Sequence, residues 1–197
     1  MPFSRREFVL LAGAASRLTA ADGGFWNNKP PAQWSTGEIY QLVNQSPWAR
    51  PVTARREAQT TGLSPRRAWI PQPPQGVVTW ESAQPVRDAF KVPLPPEFED
   101  QYVIGVDGIP LGETPYFDYL SGSTRLRSGG AKQWTAAVSE MRELIRNSAV
   151  YAFGFPRSSA PVARDSGDIF FETQFGPWLV RAKFRPKEMV YRGSLAL

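Results

Sequence analysis

The segment from Asp168 to Arg185 constrains the fold more than any other part of the chain. It alternates apolar and polar residues on both sides of Gly176-Pro177, and two alternating runs joined by a two-residue turn form a hairpin. The turn sets the register. Phe175 then opposes Trp178, Thr173 opposes Val180, Phe171 opposes Ala182 and Ile169 opposes Phe184 on one face. On the other face Glu172 meets Arg181, Phe170 meets Lys183 and Asp168 meets Arg185. A slip of one residue would turn every charge toward the core, so this pairing is strongly specified. One face of this sheet must be covered by further apolar layers. The fold class is therefore α+β, a mostly antiparallel β-sheet with a few helices packed on it, loop-rich and forming a single domain.

The rest of the chain supplies shorter elements. Ser35-Thr36-Gly37-Glu38 has capping-box spacing, and Ile39, Leu42 and Val43 follow at helical intervals until Ser46-Pro47, so a short helix runs from Thr36 to about Gln45. Val52 to Arg56, Val77 to Glu81, Tyr102 to Asp107, Thr124 to Arg127 and Val150 to Phe155 read as strands. Ser82 is placed to cap a short helix through Phe90, with Pro85 in its first turn. From Ala131 to Asn147, Trp134, Val138, Met141 and Ile145 recur at steps of four, three and four, which predicts the longest helix of the molecule. Tyr191 to Leu197 is read as a last strand inside the sheet. Residues 58 to 76 hold Ser64-Pro65-Arg66-Arg67 and Pro71-Gln72-Pro73-Pro74, so they form a long Pro/Arg-rich loop, functional or mobile.

At the N-terminus, Ser4-Arg5-Arg6-Glu7-Phe8 precedes an apolar run from Phe8 to Ala15, and Thr19-Ala20-Ala21 supplies small residues. A positive region, a short apolar stretch and small residues at a cut site make an export leader. The order Ser4, Arg5, Arg6, Phe8 resembles the twin-arginine export signal, with Val9 where Leu is usual. The resemblance implies translocation of an already folded chain by the twin-arginine machinery, then cleavage by signal peptidase. Residues 1–21 are read as leader, 22–50 as an N-terminal segment with a short helix, and 51–197 as the α+β domain. The expected destination is the periplasm or the cell exterior. The run is too short for a membrane span of about 20 residues, so the chain is not expected to be an integral membrane protein. Phe25-Trp26 through Trp34-Ser35-Thr36-Gly37-Glu38 to Ser46-Pro47-Trp48-Ala49 also resembles the opening of a group of exported bacterial proteins with no activity attached.

Two absences narrow the chemistry. The chain has no His and no Cys. That removes imidazole bases, the Ser-His-Asp triad, thiolate nucleophiles, the usual zinc and haem ligand sets and any disulfide. No cofactor, metal or catalytic residue is assigned. The net charge is +5, of which three Arg and one Glu in residues 1–21 contribute +2, leaving +3 for the remainder. That is too mild to point to nucleic acid.

With imidazole and thiol gone, carboxylates are the ordinary acid–base groups left. Glu97, Glu99 and Asp100 cluster after a Pro-rich turn, and Asp165 and Asp168 flank Gly167. Their simpler reading is a solvated loop and a turn, and Asp165-Ser166-Gly167-Asp168 lacks the ligand count of a calcium loop. Trp69 beside Arg66 and Arg67 is the best-placed surface ring, and the three form a candidate platform for an anionic glycan or a partner protein. The sequence therefore points to an exported, non-catalytic binding or accessory protein of the bacterial envelope. The rivals are a carboxylate-based hydrolase of envelope glycans and a subunit exported together with a folded partner.

Overall fold

The computed structural model describes residues 24–56, 72–110, 117–129, 132–136, 138–143 and 149–197. In chain order the elements are helix α1 (Phe25–Asn28), a 3-10 turn (Pro31–Gln33), α2 (Thr36–Asn44), β1 (Ala49–Thr53), β2 (Arg55–Arg56) and β3 (Gln75–Trp80). Next come α3 (Gln84–Phe90), a 3-10 turn (Pro96–Phe98), β4 (Gln101–Asp107), α4 (Phe117–Ser123), β5 (Arg125–Ser128) and β6 (Gln133–Thr135). The chain continues through β7 (Val138–Glu143), β8 (Ala149–Pro156), β9 (Ile169–Phe175), β10 (Trp178–Phe184), β11 (Val190–Tyr191) and β12 (Ser194–Leu195). The fold is α+β.

Among the described residues the β part is two five-stranded antiparallel sheets, ordered β1-β3-β4-β8-β7 and β2-β10-β9-β5-β6, and a small two-stranded one, β11-β12. Their edges are consecutive in the chain. β1 passes into β2 through Ala54, and β6 passes toward β7 beyond Ala136, both alanines buried. Bent edge strands that change sheets make the corners of such a sandwich, leaving few unpaired edges. Between the layers Phe153 meets Phe171 and Phe175 at 5.7 and 6.2 Å, Phe155 meets Phe171 at 6.4 Å and Trp80 meets Phe184 at 5.3 Å. All six rings are fully buried, so the apolar face of the hairpin has found its cover.

The hairpin follows the register that alternation dictates: Phe175 pairs with Trp178, Glu172 with Arg181 and Ile169 with Phe184. Gly176 takes the left-handed φ of +53° that the turn requires and that glycine adopts without a Cβ penalty. Asp168 reaches Lys183 at 2.5 Å and Arg185 at 3.9 Å.

The capping box also forms. The Glu38 N–H donates to Ser35 Oγ at 3.2 Å, and the Ser35 N–H donates to Glu38 Oε2 at 2.8 Å. A hydrogen bond from Lys29, then the Ser35 N–H, holds the Glu38 carboxyl below its ordinary range. Helix α2 lies on the outer side of the first sheet, where Thr79 Oγ1 donates to the Val43 carbonyl.

Three expectations are corrected. The described residues of the span 131–147 (132–136 and 138–143) are not a helix: they hold β6 and β7, which pair with β5 and β8. Each sheet needed an edge strand there, and ladder bonds to a neighbour outweigh a local helical period. Ser82 does not cap α3, whose cap residue is Ala83 without a side-chain bond; Ser82 Oγ instead accepts from the Val103 N–H at 3.0 Å. Residues 191–197 do not extend a large sheet. β11 and β12 pair only with each other, and the buried Ala196 carbonyl accepts from Trp48 Nε1 at 2.6 Å. The loop also ends earlier than its composition suggests, since Gln75 and Gly76 begin β3.

Candidate functional site

The outward face of the second sheet carries the densest charge pattern among the described residues. Every second residue of β5, β9 and β10 points there, and the registers align those residues into rows across the strands. One row reads Arg181, Glu172, Arg125, Thr135, and the next reads Lys183, Phe170, Arg127, Gln133. Arg125, Arg127, Arg181 and Lys183 mark the corners of a rectangle. Its sides are about 7 Å along a strand and about 10 Å across two strand spacings. Between the rows lies an open groove of about 430 Å³. A second groove of about 270 Å³, lined by Pro51, Thr53, Arg55 and Leu179 among others, shares Arg181 with the first.

The two rows are held differently. Arg181 Nε donates to Glu172 Oε2 at 2.5 Å, so one arginine of that row is neutralised. In the other row Phe170 stands between two cations, with the Arg127 guanidinium 5.5 Å and the Lys183 ammonium 5.6 Å from its ring centroid. An aromatic ring holds a cation through its quadrupole without consuming its charge. Lys183 is partly neutralised by Asp168, whose carboxyl it holds below its ordinary range through their hydrogen bond. Arg125 and Arg127 are exposed and pair with no carboxylate among the described residues. Arg185 extends the cations to five, but it pairs with Glu188 at 2.9 Å, so they face three carboxylates, Glu172, Asp168 and Glu188.

A separate groove of about 400 Å³ runs beside α3 and holds Arg87 and Arg157. Arg157 lies 4.5 Å from the Tyr102 ring centroid and donates to the Leu197 carbonyl at 2.6 Å, so its fork is already engaged by the chain.

The carboxylates singled out from sequence fall in turns. Glu97 sits in the 3-10 turn before β4, and Glu99 and Asp100 follow it, exposed. Asp165 is exposed in a turn where Ser166 Oγ accepts from the Ala163 N–H, while Asp168 is held by Lys183. Each of the three grooves described above, and a further one between Asp88, Lys91 and Arg192, is lined by no more than one carboxylate. Among the described residues no group of three Asp or Glu could hold a metal ion. Glu81, 1% exposed and packed against Gly105, is a buried carboxylate that alternation alone did not single out.

Arg66, Arg67 and Trp69 lie outside the described residues, as do Ser4, Arg5, Arg6 and Phe8. The basic rows were legible in part. The hairpin pairs Glu172 with Arg181 and Phe170 with Lys183 on sequence alone, but the placement of Arg125 and Arg127 beside them needed the β5–β9 ladder. No helix among the described residues is long and apolar enough to cross a membrane. No protein-family model, curated protein or solved structure matches the chain.

Proposed function

We propose that this chain is an exported, non-catalytic binding protein of the bacterial envelope, and that it holds an anionic ligand on the outer face of its second sheet. The observation that carries the reading is the pair Arg125 and Arg127, exposed, aligned on one strand and free of carboxylate partners among the described residues. Side chains on paired strands are stiffer than side chains on a loop, so the cations are pre-organised and little order is lost on binding. The twin-arginine pattern at Ser4 to Phe8 supplies the location, and the lack of His and Cys in the sequence favours binding over common catalytic chemistry.

The test is cell fractionation of the full chain beside an Arg125→Gln/Arg127→Gln variant. The native chain should leave the cytoplasm and sediment with envelope material at low salt, and the variant should be exported but remain in the soluble periplasmic fraction. Retention of the native chain in the cytoplasm, or equal sedimentation of the two, would refute the proposal.

A further inference from the structure

We infer that the ligand of this face is a linear polysaccharide bearing carboxylates at intervals, lying across the strands so that its charges meet the arginines and its hydroxyls meet the midline. The inference rests on the binding role proposed above and names its ligand class. Three features of the face select this chemistry.

First, the cations are spaced rather than merged. Along either row they stand about 10 Å apart, with Phe170 or Glu172 between them. A ligand with an anion on every sugar or every second sugar presents charges at intervals, with neutral polar groups between. Arginine forks suit carboxylates because two parallel N–H groups match the two oxygens.

Second, Glu172 lies in the middle of a row as an acceptor. A continuous acceptor-only polyanion, such as a polyphosphate, would meet like charge there. A polyhydroxylated chain can donate hydrogen bonds to the same oxygens. Gln133 and Thr135, exposed on β6 beside Arg127 and Arg125, add neutral groups that both donate and accept.

Third, the face lacks what a protein partner would use. Interfaces between proteins are anchored by apolar or aromatic side chains in well-packed pockets. The large exposed hydrophobic side chains among the described residues are Tyr40 and Val92, and neither lines this groove. Phe170 is the ring that lines the groove beside these cations, and it is already engaged, with Arg127 and Lys183 over it at 5.5 and 5.6 Å from its centroid. Its electropositive edge adds to the attraction for anions.

The experiment is titration calorimetry of the full chain with polygalacturonate, with polyphosphate of matched charge and with neutral dextran, repeated over a range of salt concentrations. The native chain should bind polygalacturonate more tightly than polyphosphate, and should not bind dextran. Arg125→Gln/Arg127→Gln should weaken polygalacturonate binding by roughly tenfold, from two exposed charge contacts. It should also lower the slope of log affinity against log salt by about 1 to 2, since fewer counterions are displaced. An Arg164→Gln/Arg192→Gln variant, with the same change in net charge away from the face, should bind as the native chain does. Glu172→Gln is the discriminating variant, because it should raise polyphosphate affinity and leave polygalacturonate affinity level or lower. Equal gains for both polymers, tighter native binding of polyphosphate, or equal losses in the two double variants would overturn the inference. Envelope retention that depends on Arg125 and Arg127 without polygalacturonate binding sinks the ligand class alone. Polygalacturonate binding by a chain that never leaves the cytoplasm sinks the envelope role alone.

Discussion

Replacing Arg50 by methionine should open one corner of the sandwich. β2 is only two residues long, so it pairs with β10 at Trp178 and Leu179 and then ends. Farther along β10, the neighbouring strand β1 belongs to the other sheet and forms no ladder with it. Arg50 bridges the gap. Its Nε donates to the Lys183 carbonyl at 3.0 Å, one Nη donates to the Ser46 carbonyl at 3.0 Å, and the other reaches Glu188 Oε2 at 3.3 Å. Burial depresses the Arg50 pKa, and Glu188 opposes that shift; a guanidinium stays charged throughout the working pH range in either case.

Methionine keeps most of the apolar stem and removes all three donors. At about 1 kcal/mol net for each hydrogen bond, the loss should be about 2–3 kcal/mol, the Glu188 contact being the weakest because it is long and partly exposed. In urea, with a slope of about 2 kcal/mol per molar for a domain of this size, the midpoint should fall by about 1–1.5 M with the slope unchanged. Arg50→Lys should restore little, since an ammonium cannot present three donors in a fixed fork. The loss should persist at about 1 M salt, where an exposed ion pair is screened but bonds to carbonyls are not. A midpoint shift below about 0.3 M would refute the bridging role, and a loss that vanishes in high salt would assign the effect to Glu188 instead.

Two further outcomes test the packing. Burial, then the hydrogen bond to Asp88 and the charge of Asp88, push the Tyr191 hydroxyl up to about 12 from its ordinary 10.0. A raised folded-state value means that the native state holds the proton longer. Stability should therefore be level below pH 10 and fall by up to about 1.4 kcal/mol per pH unit as pH rises toward 12; chemical denaturation of Tyr191→Phe across this window should show a shallower fall, and an equal fall would refute the assignment. Gly76 sits where an added Cβ would come within 2.9 Å of Ile109 and still closer to the Asp107 carbonyl. That carbonyl belongs to β4 and cannot swing away, so Gly76→Ala should cost about 1–3 kcal/mol and lower the melting temperature by several degrees; an unchanged melting temperature would refute it.

Legibility followed the range of the interactions. Ser35 and Glu38 are three residues apart, and their reciprocal bonds depend on nothing beyond one helical turn, so the capping box was readable before any fold was known. The hairpin was readable because its turn is two residues long and every later pair follows from it. Trp134 to Ile145 misled for the complementary reason. Its helical period is real, but the partners that decide it are β5 and β8, whose positions no local pattern encodes. Ser82 misled in the same way, since the Val103 N–H it serves lies 21 residues farther along the chain.

The amino-acid sequence by itself determined the α+β class, the registered hairpin with its paired charges, the exclusion of imidazole and thiol chemistry, and the twin-arginine pattern. All of these depend on neighbours in the chain or on residue types alone. Only the tertiary structure decided that there are two large sheets joined at their edges rather than one, and that Arg125 and Arg127 stand beside Glu172 and Phe170. Such contacts join segments more than 40 residues apart, and their free energy comes from burying apolar faces and completing ladders, neither of which exists until the chain has closed on itself.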